Sequence, residues 1–324
     1  VTLMLLDTAS LYFRAYFGVP ESVKSPDGAP VNAVRGLLDF ITRLVQDHHP
    51  EQLVACMDAD WRPQWRVDLI PTYKTHRLAP EQPAGVEGTE EIPDTLSPQV
   101  PIIEQVLDAL GIARVGVPGY EADDVIGTLA TRAGGPVRIV TGDRETADYQ
   151  PARVLIVTGD RDLFQLVDDA RGVQVIYPIK GVGNAQIIDE AALREKYGVT
   201  GTEYADMAAL RGDPSDGLPG VKGIGEKTAA QLIREYGDLA GIRAAAADPL
   251  SKLTPARRKN ILEGAAYLDV APTVVRVATD IALPDFDPAL PREPLDPMTL
   301  EDLAERWGLG TSLTRLLDTL AATR

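Results

Sequence analysis

Three short apolar runs in this chain each lead into an aspartate, and that recurrence narrows what the chain can fold into. Leu3–Leu6 stops at Asp7, Gln52–Met57 stops at Asp58, and the run that begins at Val154 enters a turn carrying Asp160. Apolar runs this short and unbroken read as strands buried on both faces, as in a parallel sheet. In an open α/β sheet, ligands bind outside the carboxyl ends of the strands. Acids delivered repeatedly to that edge point to a bound cation. Asp7 also has the reading of a helix N-cap, because Thr8–Ser10 follow it.

The segments between the runs are helical by period. Val34, Leu37, Leu38, Ile41 and Leu44 share one face of Val31–Asp47, and Val100, Ile103, Val106, Leu107 and Leu110 share one face of Ser97–Leu110. A further strand is predicted at Val173–Pro178. Helices are predicted at Asp189–Tyr197, Glu226–Tyr236, Thr254–Leu268, Thr299–Trp307 and Thr311–Ala321, with Pro-rich turns beyond Val270. Leu78–Pro101 is rich in Pro, Gly and Glu and has no period, so it reads as a mobile loop.

More acids gather in two other places. Gly119–Ala133 puts Glu121, Asp123 and Asp124 at the start of a helix. One or two acids there offset the helix macrodipole. A third crowds like charges that a divalent cation would relieve. Gly212–Gly225 reads GDPSDGLPGVKGIG. Asp213 and Asp216 can face one point from a single turn. Gly220, Gly223 and Gly225 then leave backbone N–H groups uncovered just before a helix, which is an anion site suited to a phosphodiester backbone. The plainer reading of this stretch is two loop aspartates and a glycine-rich cap.

One motif occurs twice. Val137–Arg144 reads VRIVTGDR and Val154–Arg161 reads VLIVTGDR. The second copy continues with Asp160, Asp162 and a predicted helix faced by Leu163, Leu166 and Val167. The first continues with Asp143, Glu145 and Pro151 and has no apolar helix face. The second copy is therefore expected to supply the working pair, and the first an extra strand or a surface excursion.

The net charge of −16 argues against nucleic acid at face value. A carboxylate-lined metal site is itself acidic until cations fill it, so the distribution of charge is the better guide. In Asp60–Arg77, the cations Arg62, Arg66, Lys74 and Arg77 alternate with Trp61, Trp65 and Tyr73. That pattern suits a groove that tracks phosphates and stacks bases, and it equally suits a half-buried segment with snorkelling cations. Arg14 lies one helical stretch beyond Asp7. Arg257, Arg258 and Lys259 either extend a phosphate track or form a solvated face. The single cysteine, Cys56, excludes an internal disulfide and a cysteine zinc site and fits a reducing cytoplasmic setting. There is no apolar run of membrane-spanning length, and the first strand is too short for a signal peptide.

Nine acids thus stand out, most of them at strand ends or helix starts: Asp7, Asp58, Glu121, Asp123, Asp124, Asp160, Asp162, Asp213 and Asp216. Hard oxygen donors without His or Cys suit Mg²⁺ or Mn²⁺. Two such ions about 4 Å apart activate a water and stabilise the leaving oxygen in phosphodiester hydrolysis. Mg²⁺ keeps several waters, so some of the acids would act at one remove. His48, His49 and His76 lie outside these motifs, and no phosphate-binding loop of the ATP-using kind is present.

The ordered series DTASLYFRAYFG, CMDAD, YKTHR, YEADDVIGTLA, TGDRDLFQL and GDPSDGLPGVKGIGEKTA resembles the bacterial 5′-nuclease, or flap endonuclease, family, which includes the N-terminal domain of DNA polymerase I and free-standing relatives. The resemblance runs from residue 1 to about residue 270. It implies a PIN-like (Rossmann-like) α/β core, a mostly parallel sheet flanked by helices, over residues 1–185, with a helical arch at 60–100. It further implies a helical DNA-binding region over 186–324 with a helix–hairpin–helix-type motif at 212–236. The implied activity is hydrolysis of DNA at 5′ ends and 5′ flaps, RNA primers being among the candidate substrates, by a free-standing monomer.

By the same resemblance, Asp7, Asp58, Glu121, Asp123, Asp124 and Asp160 match a first-metal side, and Asp162, Asp213 and Asp216 a second. Lys74, Arg77 and Arg14 match cations at the scissile phosphate. Tyr73 matches an aromatic near the unpaired terminal nucleotide. Arg62 and Arg66 join the nucleic-acid contacts. Gly220, Lys222, Gly223, Gly225 and Lys227 match the duplex-gripping hairpin, where K⁺ is held by backbone carbonyls. Two departures stand out. The interval from Asp124 to Asp160 is longer than the family's usual one, while Asp143 stands at nearly the usual distance. Either the second copy works and the first is an insertion or the reverse, the DLFQL that follows the second favouring it. And Leu78–Pro101 is acidic where the arch is usually basic. Two rival readings remain: a PIN-type ribonuclease, and a non-catalytic protein selective for DNA junctions.

Overall fold

The computed structural model describes residues 1–78, 92–137, 150–179 and 182–323. Its centre is a sheet built from β1 (Thr2–Asp7), β2 (Gln52–Cys56), β3 (Ala113–Val115), β4 (Gly135–Val137), β5 (Gln150–Val157), β6 (Val173–Pro178) and β7 (Ala185–Ile188). The order across it is β3-β2-β1-β5-β6-β7, with β4 paired to β5. The strands from β3 to β6 run parallel; β7 is antiparallel to β6, and β4 is antiparallel to the start of β5.

The apolar runs are unbroken because both faces of the sheet are covered. Leu3, Leu5, Val54, Cys56, Val154 and Ile156 point into one core, while Met4, Leu6, Leu53, Ala55, Leu155 and Val157 point into the other. Alternation along each strand sends neighbours to opposite faces, and here both faces are dry. The second core takes in α1 (Thr8–Gly18), α2 (Asn32–His48) and α4 (Val100–Leu110). The short α3 (Gln64–Leu69) precedes α4, and α5 (Ala122–Ala133) covers the first core. Five helical segments continue that side: α6 (Glu190–Lys196), α7 (Gly201–Arg211), α8 (Glu226–Tyr236), α9 (Leu239–Ala247) and α10 (Pro255–Glu263). After α11 (Ala265–Val275) the chain crosses back, and α12 (Pro297–Trp307) and α13 (Gly310–Ala322) pack on the second core beside α4 and α2.

The strand order reverses at β1. β2 and β3 lie to one side of it, β5 and β6 to the other. The carboxyl ends of β1 and β5 therefore flank a topological switch point, where a crevice opens above the sheet.

Several sequence expectations change here. Asp162–Leu166 is a 3-10 turn, not a helix. Its Gln165 side chain donates to Val275 O and accepts from Val277 N, so tertiary bonds hold the segment in place of helical ones. The expected helix Thr254–Leu268 is two helices broken at Gly264, and the second continues through Pro272 to Val275, where turns were expected. Helix α9 was not foreseen, since its Ala-rich stretch has little apolar contrast. Part of the loop and arch region (79–91) and most of the first motif copy, including Asp143 and Glu145, lie outside the described residues. Among the described residues, no helix is long and apolar enough to cross a membrane. Cys56 ends β2 and is fully buried.

Candidate active site and nucleic-acid interface

The motif V-T-G-D is a joint between β1, α1 and β5. Thr158 Oγ1 donates to Asp7 Oδ2 at 2.6 Å and accepts from Asp160 N at 2.8 Å. Gly159 N donates to Ser10 Oγ at 2.9 Å, and Arg14 Nη2 donates to Gly159 O at 3.3 Å. A Cβ on Gly159 would push the Arg14 guanidinium aside, so the glycine leaves room for that arginine. Asp160 Oδ1 then accepts from Asp162 N at 2.8 Å, turning the chain. Asp7 holds both roles anticipated for it: it caps α1 through Ser10 N and presents a carboxylate at the end of β1.

Asp58 follows β2 and accepts from Ala122 N at 2.8 Å, which ties the end of β2 to the start of α5. A cavity of about 320 Å³ opens at the switch point, lined by Asp7, Asp58, Glu121, Asp123, Asp160 and Asp213, with Lys74, Arg77 and Arg161 in its wall. Six separate segments of the chain contribute to it. Burial, with repulsion from Asp58 and Asp160, raises Asp7 to about 7. Burial also raises Glu121 to about 7 against the pull of Lys74 and Arg66. Asp123 and Asp162 are raised by burial and by repulsion from Asp160, and Asp160 by burial and by repulsion from Asp216. These groups resist ionising together, which is the condition a divalent cation relieves. The donors are all oxygen, so they fit a hard ion. Among the described residues no three acids are preset around one point as direct ligands, which fits an ion that retains waters and is reached partly through them.

The cations of the 60–77 segment divide. Lys74 Nζ donates to Glu121 Oε2 at 2.7 Å, and Arg77 Nη2 donates to Asp216 Oδ1 at 2.8 Å. Lys74 is held in a left-handed conformation (φ 48), and its N–H donates to Asp216 O at 2.9 Å. Gly217, next to it, touches the backbone at Thr72 so closely that a side chain would clash. The Lys74 loop is thereby docked on the turn that carries Asp213 and Asp216.

Asp124, Arg66, Tyr73 and Arg62 are corrections to the sequence reading. Asp124 is fully buried and faces away from the cavity. It accepts both Arg66 Nη1 (2.8 Å) and Nη2 (2.7 Å), and also Ala278 N. With its acceptors engaged inside the core it is not placed to ligate a cation. Arg66, buried in the same pair, also donates to Val274 O and stacks on Trp65 at 4.4 Å. It cannot reach a phosphate. Tyr73 is buried, with its hydroxyl on Glu121 Oε1 at 2.8 Å, so no base can stack on it. Arg62 spends its guanidinium on Tyr73 O and Pro71 O, bracing the loop that holds Lys74. The snorkelling-segment reading suits these residues better than the base-stacking groove.

On the other side of the cavity, Asp213 lies in the lining and Asp216 is buried and held by Arg77, while Asp162 is half-buried beneath them. Arg211, which the sequence reading missed, sits 3.4 Å from Asp213 Oδ2 and 3.4 Å from Glu226 Oε2, and its charge offsets part of the rise of Asp162. Thr158, Ser10 and Arg161 were missed as well; the doubled T-G-D-R was the signal for Thr158 and Arg161.

The hairpin from Gly220 to Gly225 is anchored by buried Val221 and Ile224 and leaves Lys222 and Lys227 exposed. Gly220 (φ +65) packs against the backbone of Arg211 and Gly212, and Gly223 adopts φ +72. Gly225, at φ −92, is the N-cap of α8 and needs no special freedom. Asn260 Nδ2 donates to Lys222 O at 2.9 Å, fastening α10 to the hairpin.

Two sequence profiles match the chain. The 5′-3′ exonuclease N-terminal resolvase-like domain matches residues 2–150, and the 5′-3′ exonuclease C-terminal SAM fold matches residues 199–297. Asp160 and Asp162 fall between the two. A 5′-3′ exonuclease of Streptomyces coelicolor is 70% identical over 319 residues, covering 98% of this chain and 100% of its own. A 5′-3′ exonuclease of Mycobacterium tuberculosis is 47% identical over 328 residues, covering 98% of each chain. Among solved structures, a bacteriophage T5 flap endonuclease in complex with DNA and metal ions has the same fold, with a TM-score of 0.61 and 18% identity over 99% of this chain and 100% of that one. With both profiles matched across the α/β and helical parts and full-length relatives at this identity, the chain belongs to the 5′-3′ exonuclease family.

Proposed function

We propose that this protein is a divalent-metal-dependent, structure-specific 5′ nuclease that hydrolyses DNA at 5′ ends and 5′ flaps. The observation that carries the proposal is the acid cavity at the β1/β5 switch point, with three cations in its wall and a glycine hairpin beyond it. Asp7, Asp58, Glu121, Asp123 and Asp160 would hold one ion and Asp162, Asp213 and Asp216 a second. Bound there, Mg²⁺ or Mn²⁺ supplies an activated water and charge stabilisation of the leaving oxygen.

The protein's own groups do the rest. Lys74 and Arg77 stand in the wall where a phosphodiester entering the cavity meets cationic charge, and their carboxylate partners hold them there. Arg14 supports the Gly159 turn from behind. Lys222, Lys227 and the exposed backbone at Gly223 and Gly225 grip a duplex backbone, with K⁺ on hairpin carbonyls as a further element of the proposal. RNA-primed 5′ ends are included as substrates, the working unit is a monomer, and the setting is the cytoplasm. The division into a catalytic part at 1–185 and a DNA-binding part at 186–324 belongs to the same proposal.

The deciding experiment is cleavage of a 5′-labelled flap duplex, with DNA, RNA and hybrid flaps in parallel. Short products in Mg²⁺ or Mn²⁺, lost in EDTA, support the nuclease. Junction binding in Ca²⁺ with no products in either active metal would replace it with the binding-protein reading. Cleavage confined to RNA flaps would replace it with the ribonuclease reading.

A further inference from the structure

Arg161 follows Asp160 in the cavity lining and precedes Asp162, and among the described residues it forms an ion pair with neither. The cations that relieve Asp160 are Lys74 and Arg77, and the one that relieves Asp162 is Arg211. Lys74, Arg77 and Arg211 are tied into ion pairs, and Arg14 is bonded to Gly159 O. Arg161 lines the cavity, is exposed, and has no ion pair among the described residues. A guanidinium left in this position has its fork of donors available to an incoming anion.

Its surroundings give it a direction. The Arg161 side chain faces Tyr197 and Tyr204 and, farther off, Glu226. The Tyr197 hydroxyl stands beside the guanidinium as an acceptor for one of its N–H donors and leaves the rest of the fork to other partners. Glu226 is the first residue of α8, immediately after the hairpin that ends at Gly225. Arg161 therefore lies between the cavity and the hairpin. A strand that has its reacting phosphate in the cavity and its duplex on the hairpin must cross this interval.

We infer that Arg161 contacts a backbone phosphate of the substrate strand between the reacting site and the duplex held by the hairpin. The contact sets where the duplex begins relative to the cut. Asp160 and Asp162 face metals on the proposed reading while the residue between them faces DNA, so one turn serves both. The inference rests on the nuclease proposal.

The test uses the full chain, with Arg161→Ala and Arg161→Lys. Binding of a 5′-flap duplex is measured in Ca²⁺ across a range of NaCl, and single-turnover cleavage in Mg²⁺ at saturating DNA. Arg161→Ala is expected to weaken binding about 10-fold, to reduce the slope of log affinity against log salt by about one counterion, and to lose more in affinity than in saturating rate. Arg161→Lys keeps the slope and recovers part of the affinity, because charge remains while the bidentate fork is lost. A substrate with one neutral methylphosphonate in this interval should lose affinity with the wild type but lose little more with Arg161→Ala. Unchanged affinity and slope in Arg161→Ala would overturn the inference. So would a loss confined to the saturating rate, or methylphosphonate penalties that simply add at every position. A wild-type protein that neither binds nor cuts the flap would instead sink the nuclease proposal itself.

Discussion

Asp123 and Asp124 are neighbours in sequence and end in unlike surroundings. Asp123 lines the acid cavity, where burial and repulsion push its carboxyl well up. Asp124, about 100° further round α5, is fully buried against Arg66 with both oxygens bonded. One region holds charge that the fold leaves uncompensated, and the other holds charge that the fold compensates completely. The first is suited to binding something and the second to holding α3 and the Lys74 loop against the core. Stability and activity should therefore separate cleanly between the two.

The largest effect is expected from breaking the pair. Asp124→Ala should cost about 3–5 kcal/mol in urea unfolding, because it strands a buried guanidinium. Asp123→Ala should leave stability intact or raised while removing cleavage. If the two variants behave alike, the contrast fails. Next comes Asp160→Ala, which should slow single-turnover flap cleavage by on the order of 10²–10³ and raise the melting temperature in EDTA. Asp143→Ala should do neither, and the reverse outcome would move the working strand to the first motif copy. Lys74→Ala should slow cleavage by on the order of 10²-fold while changing Ca²⁺-supported DNA affinity less, since its role belongs to the transition state; equal losses in both would refute that.

A pH series sharpens the same contrast at smaller amplitude. Asp7 and Glu121 rise from ordinary values of 3.8 and 4.5 to about 7 in the fold. Acids raised in this way favour the fold most below their unfolded values, and that contribution is lost as pH climbs through 7. The melting temperature in EDTA should accordingly fall between pH 5 and pH 8, and Mg²⁺ should restore more at pH 8 than at pH 5. A metal-free protein that gains stability over that interval would contradict the assignment. The smallest change is expected from Lys222→Ala, a salt slope lower by about 0.9 with cleavage otherwise near normal.

The strands and the cavity were legible because their signals are local. A strand buried on both faces must read as an apolar run, and Leu3–Leu6 and Val154–Val157 do. The acid that follows each run lands at the carboxyl edge by topology alone. What the sequence hid were facts of rotation and closure. Nothing in YEADDVIG distinguishes the acid that faces the cavity from the one that turns into the core; Arg66, 58 residues away, decides that. The cations of the 60–77 segment looked alike in spacing, yet Arg66 is buried and Arg62 braces a loop, because carboxylates and carbonyls from other segments reach them first. Arg211 and Thr158 escaped notice because each acts on an acid that it meets only in the folded chain.

Cys56, the chain's only cysteine, is fully enclosed at the end of β2, and the low-polarity surroundings together with nearby acids drive its thiol well above the ordinary value. Its sulfur is thereby withdrawn from alkylation and oxidation while the protein stays folded. The natural chain is already a background for site-directed labelling: a cysteine placed at exposed Lys222 would take a maleimide dye while Cys56 stays silent. Cys56 becoming reactive would itself report opening of the sheet, a built-in gauge of unfolding at the level of the metal site.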